Sequence, residues 1–352
     1  MWTKAFSAEV AAVSAQKTRQ SNNARAVFCP GRREAIAVLL SSAVMGATGA
    51  AFGQTLTKVR VGKAISSSFP FSGLELGQKT GIWKAAGLEL EISTFRGDGQ
   101  LQQALAAGSV DFGFGSGPGM GYAAKGVPAH AVAAIANKPA NMALVVGKAS
   151  HVTTIAGLKG KRIGVSTAGS LTDWLARNIA VSNKWKTTDI EILPMGDMRA
   201  RLAAMRSGEL TAVVTSVQEA YEIQDNGQGT VLATFADVVP HFHTHVVFAR
   251  DALIKGNPDL VRRFLKGWFT TAAYMRDHRA EAVKNAADTM KLDPKVIDET
   301  YGIEISGMNF DGSFDPAALD VIRASLKDLG ILDRAPPVSA MLVTGFAPVR
   351  VN

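Results

Sequence analysis

The residues of this chain equipped for chemistry are mostly hydroxyls, with one carboxylate and a histidine alternation, set in Gly-rich loops between apolar runs. From Gly97 to Gly121 the chain reads GDGQLQQALAAGSVDFGFGSGPGMG. Asp98 stands where a short helix should begin, either to cap it or to receive a cationic or hydroxyl group. Ser116 and Gly117 follow an apolar strand, where missing Cβ atoms let main-chain N–H groups approach a ligand. Ser67, Ser68 and Phe69 follow an earlier strand and offer two hydroxyl donors beside a ring for an apolar part. Thr167, Gly169, Ser170 and Thr172 lie between another strand and a helix, whose free N–H groups and dipole favour an anion. Asp173, three residues after Ser170, completes a capping-box pattern and answers part of the same field. Thr215 and Ser216, with Gln218 beyond them, close a further strand. Together these groups would hold a small polar solute.

His241, His243 and His245 alternate, and on a strand they would share one face. Three histidines on a face could ligate a metal, but no cysteine or evident carboxylate accompanies them. We therefore expect no metal and no cofactor, and place His243 at the edge of the binding cleft. Its ordinary pKa of about 6.5 would make affinity pH-sensitive there. The chain carries no nucleophile elbow, P-loop or H-E-x-x-H pattern, so no catalytic residue is assigned.

These loops need elements to position them, and the chain alternates strand and helix. Strands are expected at 59–64, 88–95, 110–115, 132–135, 142–146, 162–165, 190–193, 212–215, 231–234 and 246–249. A helix at 73–86 ends at Gly87, one at 100–107 ends at Gly108, and others span 171–180 and 198–206. Asn257 and Pro258 open a helix with a stripe of Leu260, Val261, Phe264, Leu265 and Trp268. Asp315 and Pro316 open the last helix, with Leu319, Ile322, Leu326 and Leu329 as its stripe. Alternating β and α elements imply mainly parallel sheets with helices on both faces.

The 352 residues suffice for two domains, and 47% hydrophobic with 19% charged residues is a globular composition. Half of the net charge of +8 comes from residues 1–53, which hold six Lys and Arg against two Glu. The remainder is mildly basic without a Lys/Arg block, so nucleic acid is not an expected partner. Arg32 and Arg33 precede the run AIAVLLSSAVMGA, and Ala51-Phe52-Gly53 fits small-x-small cleavage, so residues 1–53 read as an export leader. Cys29, the single cysteine, would leave with that leader and can form no internal disulfide.

Four stretches in order carry a resemblance: GLELGQKTGIWKAAGLELEI, GDGQLQQALAAGSVDFGFGSG, IAGLKGKRIGVSTAGSLTDWLAR and MRARLAAMRSGELTAVV. The chain resembles periplasmic substrate-binding proteins of ABC importers, in the nitrate/sulfonate/taurine group that includes thiamine-pyrimidine binders. The resemblance implies an α/β, two-lobed type II periplasmic-binding fold with the cleft between lobes. Lobe 1 would comprise 58–147 and 246–352, and lobe 2 would comprise 151–245. It implies a periplasmic monomer that captures a small, sulfonate- or carboxylate-like molecule and docks on an inner-membrane ABC permease with its ATPase. Two alternatives share the fold. One is a pyrimidine-precursor enzyme using histidine and iron, against which the cysteine-free mature chain speaks. The other is a ligand-sensing subunit of a membrane regulator.

Overall fold

The computed structural model describes residues 55–235, 239, 241–328 and 331–351. The expected leader and Cys29 lie outside the described residues, as do Leu329 and Gly330 at the end of the last helix. The strands are β1 Thr57–Lys63, β2 Leu88–Thr94, β3 Phe112–Ser116, β4 Ala129–Ala136 and β5 Met142–Gly147. They continue as β6 Arg162–Val165, β7 Glu191–Pro194, β8 Ala212–Ser216, β9 Gly229–Thr234 and β10 His245–Arg250. The helices of the first part are α1 Phe69–Lys79, α2 Ile82–Ala85, α3 Asp98–Ala106 and α4 Met120–Ala124. Then come α5 Leu171–Ser182, α6 Met198–Arg206 and α7 Val217–Asp225. The C-terminal part holds α8 Asp251–Gly256, α9 Pro258–Asp277, α10 Arg279–Met290, α11 Pro294–Gly307 and α12 Pro316–Asp328.

Two five-stranded sheets result, in the orders β2-β1-β3-β10-β4 and β7-β6-β8-β5-β9. In each, one strand runs against its neighbours: β10 is antiparallel to β3 and β4, and β5 to β8 and β9. These are the strands with which the chain enters each sheet after crossing from the other. Met142–Gly147, expected as the last strand of the first lobe, therefore pairs within the second sheet. Its continuous apolar run MALVVG is buried along its whole length, which suits a strand flanked on both sides. Because an antiparallel strand starts where its parallel neighbours end, Met142 and His245 stand at the same sheet edges as the carboxyl ends of β8 and β3.

The stripe read on α9 is buried as expected and forms the main core with the first sheet. Phe264 stacks on Phe112 at 3.9 Å between centroids and on Trp83 at 5.2 Å, while Trp268 meets Phe114 edge-on at 4.7 Å. The helix expected from Gly73 begins four residues earlier, at Phe69, with Ser68 at its N-cap and Pro70 in its first turn. Proline's fixed φ suits that position, so the Ser-rich loop is shorter than its composition suggests. The strand glycines Gly113 and Gly115 let α3 lie on β3. A Cβ on Gly113 would come within 2.9 Å of Leu105, and one on Gly115 within 2.8 Å of the Asp98 carboxylate. No described helix is long and apolar enough to cross a membrane.

Phe264 has aromatic partners on three sides, so Phe264→Ala leaves a cavity that its stacked neighbours cannot fill. We expect a loss of about 3–5 kcal/mol, read as a shifted urea midpoint with an unchanged slope. A loss under about 1 kcal/mol would show that the α9 stripe is not the main core contact.

Candidate functional site

The carboxyl ends of β1 and β3, together with the start of β10, face the ends of β6 and β8 and the start of β5. Between them lies a cavity of about 40 Å³. Asp98, Ser116 and Ser67 line it from the first sheet, and Ser166, Ser170, Thr172, Thr215 and Ser216 from the second. Ligands of open α/β sheets bind at such strand ends.

On the first-sheet side, Asp98 is buried at the start of α3. Its Oδ1 accepts from the Ser116 amide at 2.8 Å and its Oδ2 from Ser116 Oγ at 2.9 Å. Burial pushes this carboxyl's pKa up, and the two Ser116 bonds only partly oppose the shift. Gly117 does not line the cavity. Its service is a close approach, since a Cβ there would lie 2.1 Å from the His243 carbonyl oxygen. Ser68 is buried at the α1 N-cap, where its Oγ has no hydrogen-bond partner among the described residues. Phe69, expected against the ligand, packs edge-on against Tyr301 at 5.9 Å instead. The cause is helical phase. With α1 starting at Phe69, the residue turned toward the cavity is Phe71, whose ring meets His245 edge-on at 4.7 Å.

On the second-sheet side, the hydroxyls of Ser166, Ser170 and Thr172 form a triangle with each oxygen 3.0 Å from the other two. Ser170 caps α5 as expected, accepting from the Asp173 amide at 3.3 Å. Asp173 reaches one residue further back than a capping box requires. It accepts from the Gly169 amide at 2.7 Å and from Arg177 Nε at 2.8 Å. Neither Gly169 nor Thr167 lines the cavity. Thr167 packs instead against Gly97 of the first half, where a Cβ would lie 2.5 Å from its Oγ1. Tyr122 adds a second contact between the halves, donating to the Ala168 carbonyl at 3.1 Å. Thr215 donates to Glu219 Oε2, and Ser216 caps α7 by accepting from the Glu219 amide at 3.3 Å.

Two charged cavity groups, Arg201 and Glu219, escaped the sequence reading. Arg201 is only 4% exposed, donates from Nη1 to the Val214 carbonyl at 2.7 Å, and leaves Nε without a partner. Desolvation lowers its pKa, and Glu219 and Asp197 oppose that from nearby. Among the described residues it forms no ion pair. A signal existed: Arg201, Ala204 and Met205 share the buried face of α6, so a cation sits on an apolar stripe. The second missed group is Glu219, which completes an S-x-x-E pattern with Ser216 at the head of α7.

The histidine alternation breaks because β10 begins only at His245. His243 does not reach the cleft. Its Nδ1 lies 3.0 Å from Asn137 Oδ1 and its Nε2 accepts from the Asp315 amide at 2.9 Å, so both ring nitrogens are occupied. His241 turns to the Asp315 carboxylate at 3.1 Å. His245 alone lines the cavity, buried, with Nδ1 unpartnered among the described residues. Burial pushes the pKa of His243 down to about 4 and that of His245 down to about 3.

The NMT1/THI5-like family model matches residues 68–282. A putative binding protein of Brucella abortus is 29% identical over 240 residues, 67% of this chain and 72% of its own length. A putative aliphatic sulfonates-binding protein of Bacillus subtilis is 24% identical over 266 residues, 75% of this chain and 79% of that one. Among solved structures, the alkanesulfonate-binding protein SsuA from Xanthomonas axonopodis pv. citri bound to MOPS superimposes with a TM-score of 0.70. It is 20% identical, with 82% of this chain and 98% of that chain covered. The desulfurization enzyme DSZB superimposes with a TM-score of 0.59 at 17% identity, covering 82% and 97%. The fold is that of the periplasmic binding proteins.

Two neutral buried histidines make stability depend on pH. Their folded values lie below the ordinary 6.5, so their contribution is complete above pH 6.5 and is lost as pH falls toward 4. We expect His245→Gln to flatten the wild-type decline between pH 6.5 and 4.5 by up to about 1.4 kcal/mol per pH unit. Urea unfolding of both proteins at several pH values measures this. Parallel declines would mean that His245 is not held neutral.

Proposed function

We propose, for a chain that belongs to the NMT1/THI5-like family, that it is an extracytoplasmic receptor that captures a small organic solute. The solute carries an oxyanion, sulfonate- or carboxylate-like, and the loaded receptor delivers it to an ABC permease in the inner membrane. The observation that carries this reading is Arg201. A buried guanidinium with an unused Nε donor is costly unless an anion meets it, and it faces the same small cavity as the hydroxyl triangle at the α5 N-terminus. The carboxylates at the cavity already have donors: Asp98 has Ser116, and Glu219 has Thr215 and Ser216. The donor left over is cationic, so the missing partner is an acceptor.

The two sheet-based halves would close over the solute, since the cavity is lined from both and a ligand there must displace or recruit both walls. Closure removes water and strengthens each polar contact. Capture needs no chemical step, and the cavity hydroxyls are bonded to one another or to carboxylates rather than to a histidine base. The mature protein would act as a periplasmic monomer after removal of residues 1–53. The family names of its relatives and the export-like leader agree with this reading.

Calorimetry with alkanesulfonates, short carboxylates, nitrate and pyrimidines tests it, with melting temperature as a parallel readout. We expect an oxyanion to bind and Arg201→Met to weaken it by the equivalent of about 2–5 kcal/mol, the usual cost of truncating a buried charged partner. The ligand-free variant should be no less stable than wild type, because methionine removes an unpaired buried charge. Failure of every solute to bind, or unchanged affinity in Arg201→Met, would overturn the reading.

A further inference from the structure

Glu304, on α11, is 2% exposed and lies outside the cavity. Its Oε1 accepts from Gln218 Nε2 at 2.7 Å and its Oε2 from Asn141 Nδ2 at 3.3 Å. Both donors adjoin the site. Gln218 sits in the first turn of α7, between Ser216 and Glu219, and Asn141 precedes Met142, which begins β5 and lines the cavity. Helix α11 itself is fastened to the first sheet, where the Asn137 amide donates to the Gly307 carbonyl at 2.8 Å and the Asn309 amide to the Ile135 carbonyl at 3.1 Å. One carboxyl thus ties the first half of the protein to two elements of the second.

The tie is incomplete in a telling way. The amide oxygens Gln218 Oε1 and Asn141 Oδ1 are both buried and have no hydrogen-bond donor among the described residues. An ionised Glu304 has no hydrogen to offer them. A protonated Glu304 has one, and a carboxylic acid facing a carboxamide can donate to its oxygen while accepting from its nitrogen.

We propose that Glu304 is a proton-operated positioning residue of the solute site: protonated, it clasps α7 and the β5 crossover against α11, and ionised, it favours their separation. This rests on the reading that the halves close over a solute. Burial pushes the Glu304 pKa up to about 7, with the bonds from Gln218 and Asn141 opposing the shift. The charged groups on the packed elements are Glu219, Glu222 and Asp225 on α7, Lys295, Asp298 and Glu299 on α11 with Asp293 at its head, Arg279, Glu281, Lys284 and Asp288 on α10, and Lys138 before the crossover turn. None of these sets the Glu304 value, for which burial and the two amides account. Glu222 repeats the theme, its pKa raised first by burial and then by Glu219 and Asp293. Burial and the nearby Glu219 and Asp293 carboxylates thus favour the protonated form of Glu222 as well.

The sign follows from linkage. In the closed arrangement Glu304 holds its proton up to about pH 7, whereas separation of α7 returns it to water and toward its ordinary value of about 4.5. Acidification from 7 toward 4.5 shifts the balance to the closed form by up to about tenfold per pH unit. Above pH 7 the dependence vanishes.

Small-angle scattering of the full chain without added solute, from pH 5 to 8.5, tests the proposal. We expect a smaller radius of gyration near pH 5.5 than at pH 8. Glu304→Gln, which keeps the shape and supplies N–H donors to the orphaned oxygens, should stay compact throughout. Gln218→Leu, which cuts the clasp from the other side, should be more open than wild type at acidic pH. A wild type whose size ignores pH, or a Glu304→Gln variant that keeps the wild-type profile, overturns the proposal while solute binding in the calorimetric panel still stands. Absence of any binding or compaction with the panel instead removes the receptor reading on which it rests.

Discussion

A polar group taken out of water without a partner costs on the order of 1–3 kcal/mol, and the seam between the two sheets is crowded with such groups. Most of the structure around the seam consists of arrangements that satisfy them. Three hydroxyls bond in a triangle, Ser116 gives both its donors to Asp98, and Thr215 and Ser216 serve Glu219. Among the side chains that line the cavity, Arg201 Nε and His245 Nδ1 remain buried and unpaired, and behind it so do the amide oxygens beside Glu304. The first two face the cavity and describe a solute. The last lie behind it and describe a proton.

Close backbone approach makes this seam possible. The β3 sequence FGFGS brings α3 down onto the sheet and seats a carboxylate at its end, where a side chain on Gly115 would exclude it. Gly117 brings the second crossover against the end of β3 in the same way. The crossover is fixed further by Phe242, stacked on Trp174 of α5 at 4.1 Å. His243 contributes to that fixation rather than to recognition, bridging Asn137 at the end of β4 and the backbone before α12. The described residues Phe242 and His243 of the second crossover are thus held by specific contacts.

The electrostatics of the site are those of a dry interior. Asp98 is pushed toward its neutral form, Arg201 away from its charged one, and His245 far below neutrality. All three shifts have the same leading cause, desolvation. On the proposed reading, an oxyanion arriving at Arg201 would reverse the penalty on the guanidinium. Lobe closure would then be coupled to ligand charge through that one group, and by the Glu304 proposal to pH.

The sequence determined whatever depends on local pattern. Alternating strands and helices, the α9 stripe, the Ser170 cap and the Gly-rich approach at Gly115 are local facts, because period, capping and steric room act over a few residues. Chain order alone also put Asp98, Ser116, Ser170, Thr172, Thr215 and Ser216 at strand ends, and those edges converge. Tertiary structure decided which side chain at each edge faces inward. A helix beginning four residues early exchanges Phe69 for Phe71, and a strand beginning at His245 leaves His243 to the crossover. It decided the sheet of β5, since MALVVG is apolar enough for either core. It also decided that Arg201 and Glu304 lose their water, because burial is a property of what packs over a residue, and that covering comes from elements distant in sequence.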